Sequence, residues 1–351
     1  MKKYDYIDLM KTIGMFLVIA AHCTLFFSGN QFWLIRAEQE NAVLRWLSGF
    51  FVAASVPIFV FSAGFLMPIS LLKRNSDISI LSLIEKKAVR LLVSYYIYGA
   101  LWLVPTYTLF DIPSYGRAES ASLLNGYIEM ALGRFSDVAW FLMMLFWVTL
   151  IWLLLYRLLM RDRLIYGAAA AFVLYLAAHF LLNQADLFKL SQIDVYIIVF
   201  YLGAAFFYMS DKINEHASPG LLIFGSLAGI AGCLCLIQLS NRYYLSELVV
   251  KTVSPVLFMT LSMGLCKTDI IRYLESTAIY KWLRNNSFYL YLLQMPGVYI
   301  IFRLIHPFLG SNALLCCIML FILTVLSDIL LTFAFTRLRL LFSKVARELV
   351  P

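Results

Sequence analysis

The chain has 351 residues, 62% of them apolar and only 14% charged. A soluble globular domain carries about 25% charged residues, so this composition excludes one. The formal net charge of +8 is not a nucleic-acid signal in such a chain until its location is known.

Apolar runs of about 20 residues, the length that crosses a bilayer, recur from end to end. They predict ten spans, near 10–29, 43–70, 88–110, 136–158, 164–183, 193–211, 218–239, 247–266, 286–305 and 313–336. The expected fold class is therefore all-α, one polytopic membrane domain over 1–351. Asp5, Asp8 and His22 argue against a cleaved signal peptide at the first span, and so does the membrane protein that follows it.

The first span holds the most informative residues, Asp8, Lys11 and His22. Ionisable side chains inside a span are costly and therefore rare. The eleven-residue step from Lys11 to His22 turns roughly 1100° around a helix, which puts both on one face about 16 Å apart along the axis. His22 fits two roles, a hydrogen-bonded post between helices or a general base. Lys11 likewise fits an interface anchor or a phosphate contact. Asp8, three residues earlier, is placed to pair with it.

The second span ends Val56-Pro57-Ile58-Phe59-Val60-Phe61-Ser62-Ala63-Gly64-Phe65-Leu66. Ser62 and Gly64 permit close helix approach, and with Pro57 they also suit unwound backbone lining a cavity. Lys86, Lys87 and Arg90 share a helical face, as orientation charge or as a phosphate cradle on the inner side. The longest outer loop, about 111–135, contains a segment, 124–133, suited to a short interfacial helix. Asp137 and Trp140 open the fourth span, where an aromatic belt is expected. In the ninth span Ser287, Tyr291 and Gln294 recur at helical spacing before Pro296, so one polar face points inward. Asp194 and Asp328 are further acids within spans, with Lys251 or Arg45 as candidate partners.

With the N-terminus inside, the inner segments hold 19 Lys and Arg and the outer segments 6. That bias places both termini in the cytoplasm. The six cysteines all fall in spans without metal spacing, as small apolar packing residues, and no metal site is expected.

In order and spacing these segments resemble the integral-membrane acyltransferase-3 family. The pattern Asp-x-x-Arg, ten residues, His is matched by Asp8, Lys11 and His22. Phe-Phe-x-x-Ser-Gly-Phe-Leu is matched by Phe59, Phe61, Ser62, Gly64, Phe65 and Leu66, with Ala63 inserted. The basic motif before the third span is matched by Lys86, Lys87, Arg90 and Leu91, with Ser94 in its proline position. Trp140-Phe141-Leu142 matches the opening of the fourth span. Ser287, Tyr291, Leu292 and Pro296 match the late motif, with Gln294 where histidine is common.

The resemblance implies transfer of an acyl group, expected to be acetyl from cytoplasmic acetyl-CoA, a co-substrate and not a bound cofactor. The acceptor it implies is a hydroxyl of a cell-envelope glycan or lipid-linked sugar. His22 would be the base, and Lys11, Lys86, Lys87 and Arg90 would hold the donor's phosphates. Asp8, Ser62, Gly64, Trp140, Ser287, Tyr291 and Gln294 would line the cavity. Lysine at 11 supplies a point charge without arginine's fork. Gln294 cannot carry a proton, which leaves His22 as the membrane base. The expected setting is a bacterial inner membrane, with membrane lipid and no nucleic acid as partner. The fused esterase-like domain of many members is not expected, so any relay uses this protein alone or a separate envelope-biosynthesis partner. A lipid-linked-sugar transporter is the alternative. It should show inverted repeats, and none is evident.

Overall fold

A computed structural model describes residues 4–29, 35–72, 79–113, 122–134, 139–185, 187–239 and 244–349, with side chains up to 337 except that of residue 244. Asp137 and several loop cations of the charge count (Lys2, Lys3, Lys73, Arg74, Arg117 and Arg242) lie outside the described residues.

Among the described residues the chain is almost entirely helical, with no strand. We number the helices α1 Asp5–Leu25, α2 Ala42–Leu72, α3 Ile80–Leu109, α4 Leu123–Ala131, α5 Trp140–Leu154 and α6 Leu164–Leu182. They continue as α7 Asp194–His216, α8 Pro219–Ile237, α9 Tyr244–Cys266, α10 Asp269–Ser276, α11 Ala278–Leu309 and α12 Ala313–Leu349. In a bilayer interior the backbone must satisfy its own hydrogen bonds, and apolar sequence of this length does so only as helix. Several starts carry side-chain caps. Ser79, Ser122, Ser218 and Thr277 each accept from the backbone N–H three residues on, and Pro219 follows Ser218 at the first helical position.

Among the described residues nine helices are long and apolar enough to cross a membrane. The tenth expected span is the shorter α5, 15 residues and so about 22 Å long. Leu155 leaves the helical conformation there, and 3₁₀ turns Tyr156–Leu159 and Arg161–Arg163 follow. Most of α5 is buried among other helices. The helix α3 begins earlier than the expected 88, so Lys86, Lys87 and Arg90 lie within it. It carries two π-helical stretches, Val89–Val93 and Gly99–Leu103. The interfacial segment forms as α4.

The architecture centres on α1, which packs most closely on α2, α11, α9 and α12. The crossing of α2 with α7 is the closest in backbone terms. A Cβ on Gly64 would collide with the Phe200 carbonyl, and one on Gly203 with the Phe61 carbonyl. Each backbone therefore lies against the other, which only glycine permits. At its outer end α1 is tied to α11 by aromatic packing, with Phe26 stacked on Phe302 at 4.1 Å and edge-on to Tyr299 at 5.5 Å.

Candidate active site

His22 lies in the last turn of α1, nearer the outer end of the helix than its middle. Its Nδ1 is 3.3 Å from Oε1 of Gln294. The Gln294 side chain is 1% exposed, and its Nε2 donates to the Tyr291 carbonyl at 3.0 Å. That second bond fixes which way the amide points. The carbonyl end of Gln294 faces the imidazole and can only accept, so Nδ1 carries the hydrogen. Nε2 is then the nitrogen with a lone pair, which is the arrangement of a general base.

Gln294 reaches His22 because α11 breaks beside it. Met295 has φ −95° and ψ 136°, and the Met295-Pro296 bond is cis. A break at membrane depth leaves backbone groups that must find partners. Tyr98 Oη and Trp102 Nε1, one turn apart on α3, both donate to the Met295 carbonyl at 2.8 Å. The two aromatics were absent from the sequence-derived site. Their signal was a pair of aromatic donors at i, i+4 within an apolar span, opposite a span interrupted by proline.

The other expected residues separate into two groups. Tyr291 is buried between Phe59 and Phe141, with ring centroids 5.8 and 5.6 Å away, and Trp140 stands beside Phe141 with its ring 6.1 Å from Tyr196. The structure thus gathers His22, Tyr291 and Gln294, with the Trp140 end of α5 close by. Ser287 lies two turns below Gln294 and donates to the Arg284 carbonyl at 3.3 Å. Ser62 is buried and donates to the Ile58 carbonyl at 2.8 Å, within a helix that runs unbroken through Pro57 and Pro68. Gly64 is filled by the backbone of α7. The expectation of unwound backbone at Ser62 and Gly64 is therefore corrected: both serve the packing of α2.

Lys11 pairs with Asp8 at 2.7 Å, and each is about one-third exposed (31% and 32%). Between Lys11 and His22, on the same face, Met15 and Val18 are 1% and 3% exposed. Closed apolar packing thus separates the pair. Lys86 and Arg90 are exposed and Lys87 half-buried on α3, which is not among the helices packed most closely on α1.

The partners expected for the acids also change. Asp194 pairs with His179 at 3.0 Å, Lys251 with Glu247 at 2.6 Å and Arg45 with Glu40 at 3.7 Å. Asp328 is fully buried on α12, and neither carboxyl oxygen has a hydrogen-bond partner among the described residues. Lys251 makes its ion pair with Glu247 one turn away while Asp194 still acts on its charge from farther off, and Arg45 pairs with Glu40.

No curated protein and no solved structure matches the chain. The acyltransferase-3 family, described as an acyltransferase domain, matches residues 4–332. That match spans α1 through most of α12 and includes His22, Gln294 and the broken helix that joins them. The chain belongs to the acyltransferase-3 family and is a membrane acyltransferase.

Proposed function

We propose that the protein transfers an acyl group, acetyl in the simplest case, from cytoplasmic acyl-CoA to a hydroxyl of a cell-envelope or lipid-linked glycan. The observation that carries this reading is the Gln294–His22 contact, which presents Nε2 of the imidazole as the base. Nε2 takes the proton of the acceptor hydroxyl as its oxygen attacks the thioester carbonyl. The tetrahedral intermediate then collapses with cleavage of the C–S bond. The imidazolium returns its proton to the leaving sulfur, so the products are an O-acyl ester and free CoA thiol.

Lys11 and the Lys86, Lys87 and Arg90 cluster are the cations that would hold the donor's phosphates, on the side that the charge bias assigns to the cytoplasm. The packing at Met15 and Val18 must open for the donor's thioester to reach His22. Charge on one side and base toward the other suit a donor and an acceptor that approach from opposite faces. The setting this implies is a bacterial inner membrane.

The test is His22→Ala in cells, with acetyl ester content of the envelope glycans read by mass spectrometry. Loss of ester at normal protein level and unchanged glycan chain length supports acyl transfer. Full retention of ester contradicts it, and loss of glycan export instead would favour a transporter.

A further inference from the structure

A groove of about 400 Å³ opens between the outer end of α3, the part of α11 beyond its break, and α12. That volume lies within the roughly 300–1,000 Å³ of small-molecule pockets. Trp102, Leu109, Phe110, Ile301 and Leu331 are among the residues lining it. Thr106, also on its wall, spends its hydroxyl on the Trp102 carbonyl. Leu101, Leu304 and Leu330, on the same three helices, are exposed apolar side chains. In a bilayer they face hydrocarbon, so the groove is lateral and its surroundings exclude water.

One cation stands at its outer end. Arg303 is exposed on α11 and donates to the carbonyls of Phe110, a lining residue, and Asp111, the latter at 2.7 Å. It is one of only 6 basic residues in the outer segments. Guanidinium has five N–H donors, and the two spent here go to uncharged oxygens. Among the described residues no carboxylate pairs with it. An apolar slot with a cation at the membrane surface is complementary to a hydrocarbon chain that ends in a phosphate.

One wall of the groove is shared with the candidate site through Trp102. Trp102 lines it and holds the Met295 carbonyl, and the next residue back, Gln294, holds His22.

We propose that this groove binds the hydrocarbon chain of a lipid-linked acceptor, with its phosphate or diphosphate on Arg303 and its sugar directed toward His22. The proposal rests on the acyl-transfer reading and narrows it, since it assigns the acceptor a lipid anchor reached from the outer leaflet.

Gly297 supplies the discriminating variant. A Cβ added there meets only the Ser327 hydroxyl, at 4.0 Å, and Gly297 lines the groove, so Gly297→Phe is chosen to place a ring in it. The experiment is native mass spectrometry of the purified protein with decaprenyl phosphate, decaprenol, phosphatidylglycerol or inorganic phosphate. The wild type should retain decaprenyl phosphate at least tenfold better than phosphatidylglycerol and should not retain inorganic phosphate. Gly297→Phe should lose retention of both decaprenyl lipids. Arg303→Gln, a surface change, should weaken decaprenyl phosphate about tenfold and leave decaprenol unaffected, as expected for loss of a charge-assisted contact. Equal retention of phosphatidylglycerol, or undiminished retention in Gly297→Phe, would overturn the proposal. The readout needs neither donor nor turnover, so its failure is distinct from a failure of His22-dependent transfer.

Discussion

At the scale of single residues, the assignment turns on Gln294. The sequence marks it as a lost proton carrier, because histidine is common at that place in the family pattern. The structure gives it a different task, which is to hold the imidazole of His22 in one tautomer. Gln294→Ala is expected to lower kcat about tenfold or more, with little change in donor KM, because the base is still present but no longer held. Steady-state kinetics in membranes checks this. A KM effect with unchanged kcat would make Gln294 a binding residue only. His22 itself was legible because a histidine in an apolar span is rare and shares a face with a lysine. The contact with Gln294 was not, since it joins residues 272 positions apart, and no local pattern encodes such a pairing.

At the scale of elements, the sequence shows where backbone is weakened and not what repairs it. Pro296 announces the break in α11, whereas the two donors that satisfy Met295 come from α3. Pro57 and Ser62 suggest a similar break in α2, yet that helix continues, and Gly64 is used for close contact with α7. Gly64→Val should therefore drive the two backbones apart and destabilise the protein by about 1–3 kcal/mol or more. Thermal unfolding in detergent would show it as a lowered Tm, and an unchanged Tm would remove the packing role.

On the inner side, α10 places Glu275 near Asp5, with one carboxyl oxygen buried and unbonded. Burial raises its pKa, the charge of Asp5 adds to the rise, and Arg284 opposes it. A raised carboxyl pKa means that the ionised form is the one the fold disfavours. The cost is absent below the unfolded-state pKa and grows as pH rises through the folded-state value. Glu275→Gln should then raise Tm at neutral pH, and the gain should fade on acidification. A gain that grows toward low pH would reverse the assignment.

At the scale of the whole molecule, the all-α polytopic design was legible from composition and the recurring apolar runs, and the charge asymmetry predicts that both termini face the cytoplasm. Helix neighbours were not legible, because apolar faces of similar composition carry little information about partners. Their arrangement makes α1 the central post, with Lys11 toward one end and His22 toward the other. The buried Met15 and Val18 then stand between them, which in the proposed reaction is between donor and base.

On the proposed mechanism, His22 is the base of acyl transfer. Its most direct test uses membrane vesicles supplied with acetyl-labelled acetyl-CoA and the lipid-linked glycan fraction, with alkali-labile ester in the glycan as the readout. Wild type should form labelled ester, Gln294→Ala about a tenth as much or less, and His22→Ala none above background at equal protein level. Ester formation by His22→Ala at the wild-type rate would contradict the account.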